Sequence, residues 1–66
     1  MSLINHLARH RKARGWTQAQ LAHATGVSRK TINTIENRVF TPSTVLALRL
    51  SKVLETRVED IFELEE

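Results

Sequence analysis

TQAQLAHATGVSRKTINTIEN, residues 17–37, holds two short helical segments with very little chain between them. Thr17-Gln18-Ala19-Gln20 fits a capping box, in which a Thr hydroxyl and a Gln side chain satisfy each other's unpaired amides. The helix it opens buries Leu21 and Ala22 and runs to Gly26, which can take the left-handed conformation that ends a helix. Ser28 follows two residues later as the next N-cap. From Arg29 to Asn37, Ile32 and Ile35 share one side. A separation this small does not suit an antiparallel bundle hairpin; it suits two helices that cross steeply.

Projecting the second segment at about 100° per residue splits it into two faces. With Arg29 at the origin, Asn33, Asn37 and Lys30 fall together and Thr34 lies just beyond, while Thr31, Ile32 and Ile35 fall opposite. Arg and Lys can address the O6 and N7 acceptors of guanine, and Asn can pair with N7 and N6 of adenine. No acid stands among these residues to repel phosphate. Any one helix with such a face is usually just amphipathic and solvated. The short turn, the basic front half and the two capped helices in register outweigh that reading and predict a helix-turn-helix suited to a nucleic acid.

The flanks extend the helical reading. Leu3, Ile4 and Leu7, with Ala8 beside them, recur at helical spacing in a first segment closed by Gly15. Thr41-Pro42 reads as an N-cap followed by Pro at the first helical position. Val45, Leu46, Leu48, Leu50, Val53 and Leu54 then form an apolar stripe wide enough for a buried helix. Thr56-Arg57-Val58-Glu59 reads as a second capping box that opens one short turn burying Val58, Ile61 and Phe62. These segments predict an all-α domain of five helices over residues 1–66. Phe62-Glu63-Leu64-Glu65 also alternates as a short strand would, with Ser2-Leu3-Ile4 as its partner.

The chain has 66 residues, 41% of them hydrophobic and 26% charged, which suits one small globular domain. Such a length buries only about 60% of the unfolded surface and leaves no room for a second catalytic lobe. With no Cys, neither a disulfide framework nor a thiolate metal site is available. No apolar run is long enough to span a membrane and no signal-peptide core follows Met1, so the expected location is the cytoplasm. The net charge of +3 is unevenly spread. Residues 1–44 hold Arg9, Arg11, Lys12, Arg14, Arg29, Lys30 and Arg38 against Glu36 alone. Residues 45–66 hold Arg49, Lys52 and Arg57 against Glu55, Glu59, Asp60, Glu63, Glu65 and Glu66. A basic front suggests a polyanionic partner, and the acidic end a different task.

Trp16-Thr17-Gln18-Ala19-Gln20-Leu21-Ala22, then Gly26-Val27-Ser28, Thr31-Ile32 and Ile35-Glu36-Asn37, resemble the Cro/C1-type helix-turn-helix domain of phage repressors and xenobiotic-response-element regulators. Pro42-Ser43, Leu46-Ala47-Leu48-Arg49-Leu50 and Val58-Glu59-Asp60-Ile61-Phe62 continue the match over nearly the whole chain, closest to the short stand-alone members. The resemblance implies a compact lambda-repressor-like fold whose third helix, about 28–37, enters the major groove. It implies base contacts from Arg29, Lys30, Asn33 and Thr34, and backbone contacts from Gln18, Ser28, Thr31, Asn37 and Arg38. Gln18 would also brace the third helix, and Arg11 with Glu36 matches a family salt bridge. Gly is frequent in the family where Arg38 and Glu55 stand, so each marks a departure; a non-Gly residue at Glu55 implies strain or a different turn.

Trp16 reads as a plug at the junction of the first two helices. His6 and His10 have a spacing that can hold a metal, but no third ligand lies near, and they read as solvent-facing. No nucleophile–His–acid set, carboxylate pair or phosphate loop appears, so no enzyme, cofactor or small-molecule effector is expected. The function implied is a sequence-specific transcriptional regulator, a repressor, binding a palindromic site on double-stranded DNA as a homodimer. Ile61, Phe62 and Leu64 are the expected dimer contact, with Glu63, Glu65 and Glu66 keeping that end off the phosphates. The alternative is a protein-interaction module, such as an antitoxin, on the same fold.

Overall fold

A computed structural model describes residues 2–65; Glu66, one of the acids at the chain's end, lies outside them. Strand β1 (Ser2–Asn5) leads into α1 (Leu7–Ala13), α2 (Gln18–Thr25), α3 (Arg29–Glu36), α4 (Thr44–Leu54) and α5 (Val58–Ile61), and β2 (Phe62–Glu65) returns beside β1. The two strands form an antiparallel ribbon pairing Leu3 with Leu64 and Asn5 with Phe62. Leu3 and Ile4 therefore belong to this ribbon and not to the first helix. Their apolar spacing fits either period, and a partner strand far along the chain settles it.

The helix ends are where the sequence speaks most directly. Thr17 and Gln20 form the capping box, and the Ser28 hydroxyl accepts from the Thr31 amide. Every one of the first four helices closes the same way. A residue just past the helix is left-handed: Gly15 (φ 72°), Gly26 (φ 83°), Arg38 (φ 63°) and Glu55 (φ 51°). At each, two amides fold back onto the last turn, as when Arg38 N donates to Ile35 O and Val39 N to Thr34 O. This is the Schellman closure, which glycine makes without strain. Arg38 and Glu55 make it with a Cβ, at a conformational cost of about 1–2 kcal/mol each.

Two caps differ from the sequence reading. The N-cap of α4 is Ser43, whose hydroxyl accepts from Leu46 N at 3.1 Å, so Thr41-Pro42 precedes the helix. Pro42 instead joins Ala47 in lining an apolar depression, the arrangement of a hydrophobic staple. Thr56 caps no helix: its hydroxyl donates to the Leu54 carbonyl at 3.0 Å, and Arg57 stands at the N-cap of α5 without a side-chain cap hydrogen bond. The left-handed Glu55 carries Thr56 back against the end of α4, where the Leu54 carbonyl, which also accepts from Arg14 Nη2 at 3.0 Å, takes its hydroxyl.

Leu7, Leu21, Ala22, Ile32, Ile35, Leu50, Leu54 and Ile61 form the core, with Trp16, Val27, Leu46, Val53 and Phe62 packed against it. All five helices thus contribute to one apolar centre. The α4 stripe is only partly used, because Val45 and Leu48 remain exposed. No described helix is long and apolar enough to cross a membrane.

Candidate nucleic-acid interface

The left-handed Gly26 lets α2 turn directly into the Ser28 cap, so α3 lies across α2 with Ile32 and Ile35 buried beneath it. The opposite face is left to polar residues. Arg29, Lys30 and Asn37 are exposed, while Asn33 and Thr34 are half-buried. Neither Arg29 nor Lys30 forms an ion pair among the described residues, so both charges stand free at the start of the helix.

Beneath that face runs a connected polar network. Arg11 of α1 donates from Nε to Glu36 Oε2 at 2.7 Å and from Nη2 to Glu36 Oε1 at 3.2 Å. Its Nη1 donates to the Trp16 carbonyl at 2.8 Å, fixing the α1–α2 junction. Gln18 Nε2 donates to Glu36 Oε1 at 3.0 Å. The Gln18 carbonyl oxygen then faces Asn33 Nδ2 at 3.4 Å and Arg29 Nη1 at 3.5 Å. These last two contacts are long and weak, so Arg29 and Asn33 are oriented yet free to exchange for a stronger acceptor. The Arg11–Glu36 pair is buried, its side chains 11% and 7% exposed, and is not the surface pair that its charges alone suggest.

Other implied contact residues have hydroxyls or amides already in use. Ser28 Oγ caps α3 and lies 2.9 Å from Thr31 Oγ1. Thr34 Oγ1 donates to the Thr31 carbonyl at 3.0 Å, and Asn37 Nδ2 to the Asn33 carbonyl at 2.9 Å. Arg38 projects from the strained turn after α3, with Nη2 4.0 Å from Glu65 of the ribbon. Val39 and Phe40, to which the sequence reading assigns no role, lie exposed immediately beyond; their signal is an apolar pair with no helical period to bury it.

At the other end, Ile61 is fully buried inside the chain and has no surface left for a partner. Phe62 is half-buried, and Leu64 is 59% exposed. His6 and His10 are half-buried, with side-chain contacts that remain open to solvent, and they tie α1 to the far end of the described chain. His6 Nε2 meets Glu63 Oε1 at 2.7 Å, and His10 Nε2 donates to the Asp60 carbonyl at 3.1 Å. Among the described residues no His, Asp and Glu group is placed to hold a metal ion.

Comparison with known proteins agrees with this architecture. A family model described as helix-turn-helix matches residues 7–61. An uncharacterized HTH-type transcriptional regulator of Methanothermobacter thermautotrophicus is 45% identical over 58 residues, covering 86% of this chain and 84% of the relative. The HTH-type transcriptional regulator YgzD of Bacillus subtilis is 40% identical over 52 residues, 79% of each chain. Among solved structures, the restriction-modification controller protein C.AhdI from Aeromonas hydrophila superposes with a TM-score of 0.78 at 28% identity, covering 82% of this chain and 78% of that one.

Proposed function

The chain belongs to the Cro/C1-type helix-turn-helix family of DNA-binding transcriptional regulators, and from that membership we propose that it represses transcription as a homodimer on a palindromic site. The observation that carries this reading is the α3 face. Arg29 and Lys30 stand exposed and without an acidic partner among the described residues, and Asn33 is held beside Arg29 by the Gln18–Glu36–Arg11 network. Bidentate donors on a pre-positioned helix are what major-groove readout requires. The likeness to a restriction-modification controller protein supports a regulatory role.

A single copy reads a short half-site, whereas two copies related by a two-fold axis read half-sites about 34 Å apart. The dimer contact must leave both α3 faces free. Phe62 and Leu64 suit it, with Leu3 and Leu48 continuing the apolar surface beside them; Ile61 supports them from the core. Leu64→Glu should give a folded monomer in analytical ultracentrifugation and weak binding to a palindromic duplex. A variant that stays dimeric with full affinity would move the interface elsewhere.

Selecting bound duplexes from a random library tests the proposal as a whole. Affinity for the recovered site, read by fluorescence anisotropy, should fall with salt at a slope near −0.9 per neutralised phosphate. A library that yields no enriched duplex, or a flat salt response, would favour a protein-interaction module instead.

A further inference from the structure

The turn after α3 bears Val39 at 78% exposure and Phe40 at 46%, an unusual pair beside a face otherwise made of Arg, Lys and Asn. The Schellman closure holds them there, because Val39 N and Phe40 N both donate to the Thr34 carbonyl, at 2.9 and 3.2 Å. With Lys30, Thr31 and Thr34 they line a shallow depression on the flank of α3. The two threonines add little polarity. Thr34 spends its hydroxyl on the Thr31 carbonyl and Thr31 pairs with Ser28, so what they offer the depression is their methyl groups. Lys30 at its edge and Arg38 next in sequence to Val39 bring this apolar notch to a polyanion, and it is continuous with the groove-facing residues Arg29 and Lys30.

Base edges in the major groove present hydrogen-bond donors and acceptors, and the apolar group among them is the C5 methyl of thymine. We propose that Val39, Phe40 and Thr34 form a receptor for a thymine methyl beside the bases addressed by Arg29 and Lys30. This rests on the DNA-binding reading and extends it: at that base pair, A·T is chosen by an apolar contact and not by a hydrogen bond. Thr34 thereby acts through its methyl.

The test replaces each thymine of the selected duplex, one at a time, with deoxyuridine, which deletes the methyl and leaves all hydrogen-bonding groups in place. The wild-type chain should lose about fourfold in affinity at one thymine per half-site, the worth of one buried methyl group. The double variant Val39→Ala with Phe40→Ala should bind the thymine and uracil duplexes equally there. Because both residues are exposed, circular dichroism should show it folded. A tightly bound site indifferent to uracil at every position overturns the inference while leaving the DNA-binding reading intact. So does a selected site without a fixed thymine, or a double variant that keeps the wild-type penalty. A double variant that shifts from dimer to monomer with the penalty unchanged would assign the patch to contact between copies. A library with no bound duplex would remove the DNA-binding reading and the inference together.

Discussion

Glu36 and Glu63 each lie 2.7 Å from a basic side chain of the α1 region, Arg11 in one case and His6 in the other. The distances are equal and the circumstances are not. Glu36 and Arg11 are nearly sealed from water and share their hydrogen bonds with Gln18 and the Trp16 carbonyl. Glu63 is 53% exposed and can trade His6 for water at little cost. Separation alone therefore says little about what a polar contact is worth; desolvation and shared partners decide. The buried pair also lies under α3, so its geometry is passed on to the residues that face the groove.

Removing one member of the buried pair should break this contrast most visibly. Glu36→Ala leaves the Arg11 guanidinium buried without a counter-charge, and should cost about 3–5 kcal/mol. That is a large share of the stability of any small domain, and urea unfolding would show it directly. A loss under about 1 kcal/mol would place the pair in the surface class after all. The double variant Arg11→Met with Glu36→Met should regain much of the stability, since packed apolar groups can replace a buried pair. It should still bind DNA less well, because Gln18 loses the acceptor that fixes it.

The next effect is in binding. Arg29→Ala or Asn33→Ala should cost about 1–3 kcal/mol on the selected site and relax base choice, whereas Arg38→Ala should weaken all duplexes alike. Gel-shift titrations on matched and mismatched duplexes separate the two. Equal losses on every duplex for Arg29→Ala would remove it from the reading set.

Helix ends sharpen the comparison on a smaller scale. Glu55 pairs with Arg14 at 3.3 Å, but the pair is of the exposed kind and the Glu55 backbone is left-handed. Glu55→Gly should therefore stabilise the fold by up to about 1 kcal/mol, the relieved strain outweighing the lost pair. At Gly26 a Cβ would have room, with Arg49 Nη1 at 3.8 Å, so Gly26→Ala should cost about 1–2 kcal/mol through conformation alone. Differential scanning calorimetry reads both, as shifts of opposite sign.

The smallest effect belongs to Arg57 and Glu59, paired at 3.1 Å on the surface. A backbone hydrogen bond at the start of α5, and then Arg57, hold the Glu59 carboxyl below its ordinary range. A lowered folded-state value contributes stability above the ordinary carboxylate pKa, and that stability is lost as pH falls through the lowered value. Because both side chains are open to solvent, Glu59→Gln should leave the acid limb of a melting-temperature profile almost unmoved. A clear change in that limb would mean that solvent does not screen this pair.

What can be read from the sequence follows the range of the interaction. The Thr17 capping box, the Gly26 closure and the Ser28 cap each involve residues within a few positions, and the sequence shows them outright. Thr41 and Thr56 read as caps and are not, because Ser43 competes one residue away from Pro42, and because the Leu54 carbonyl at the end of α4 takes the Thr56 hydroxyl. Leu3 and Ile4 are ambiguous because the deciding partner, β2, lies at the opposite end of the chain. For the interface, the charged face of α3 is plain from helical projection. That Thr34 turns its hydroxyl inward, or that Val39 and Phe40 find no cover, depends on how the α3 closure folds back, which no periodicity reveals.

Joining β1 to β2 has a consequence for how the chain is made. Ser2 and Glu65 are register partners 63 residues apart. Of the described elements, β1 is the first to leave the ribosome and β2 the last. Leu3 and Ile4 must therefore wait unpaired through the synthesis of everything between. Closing the ribbon spans nearly the whole described chain, and packing of the helical core between the strands holds its two ends near each other. An early stop in translation would leave β1 without its strand partner and, before Ile61, the core without one of its fully buried side chains.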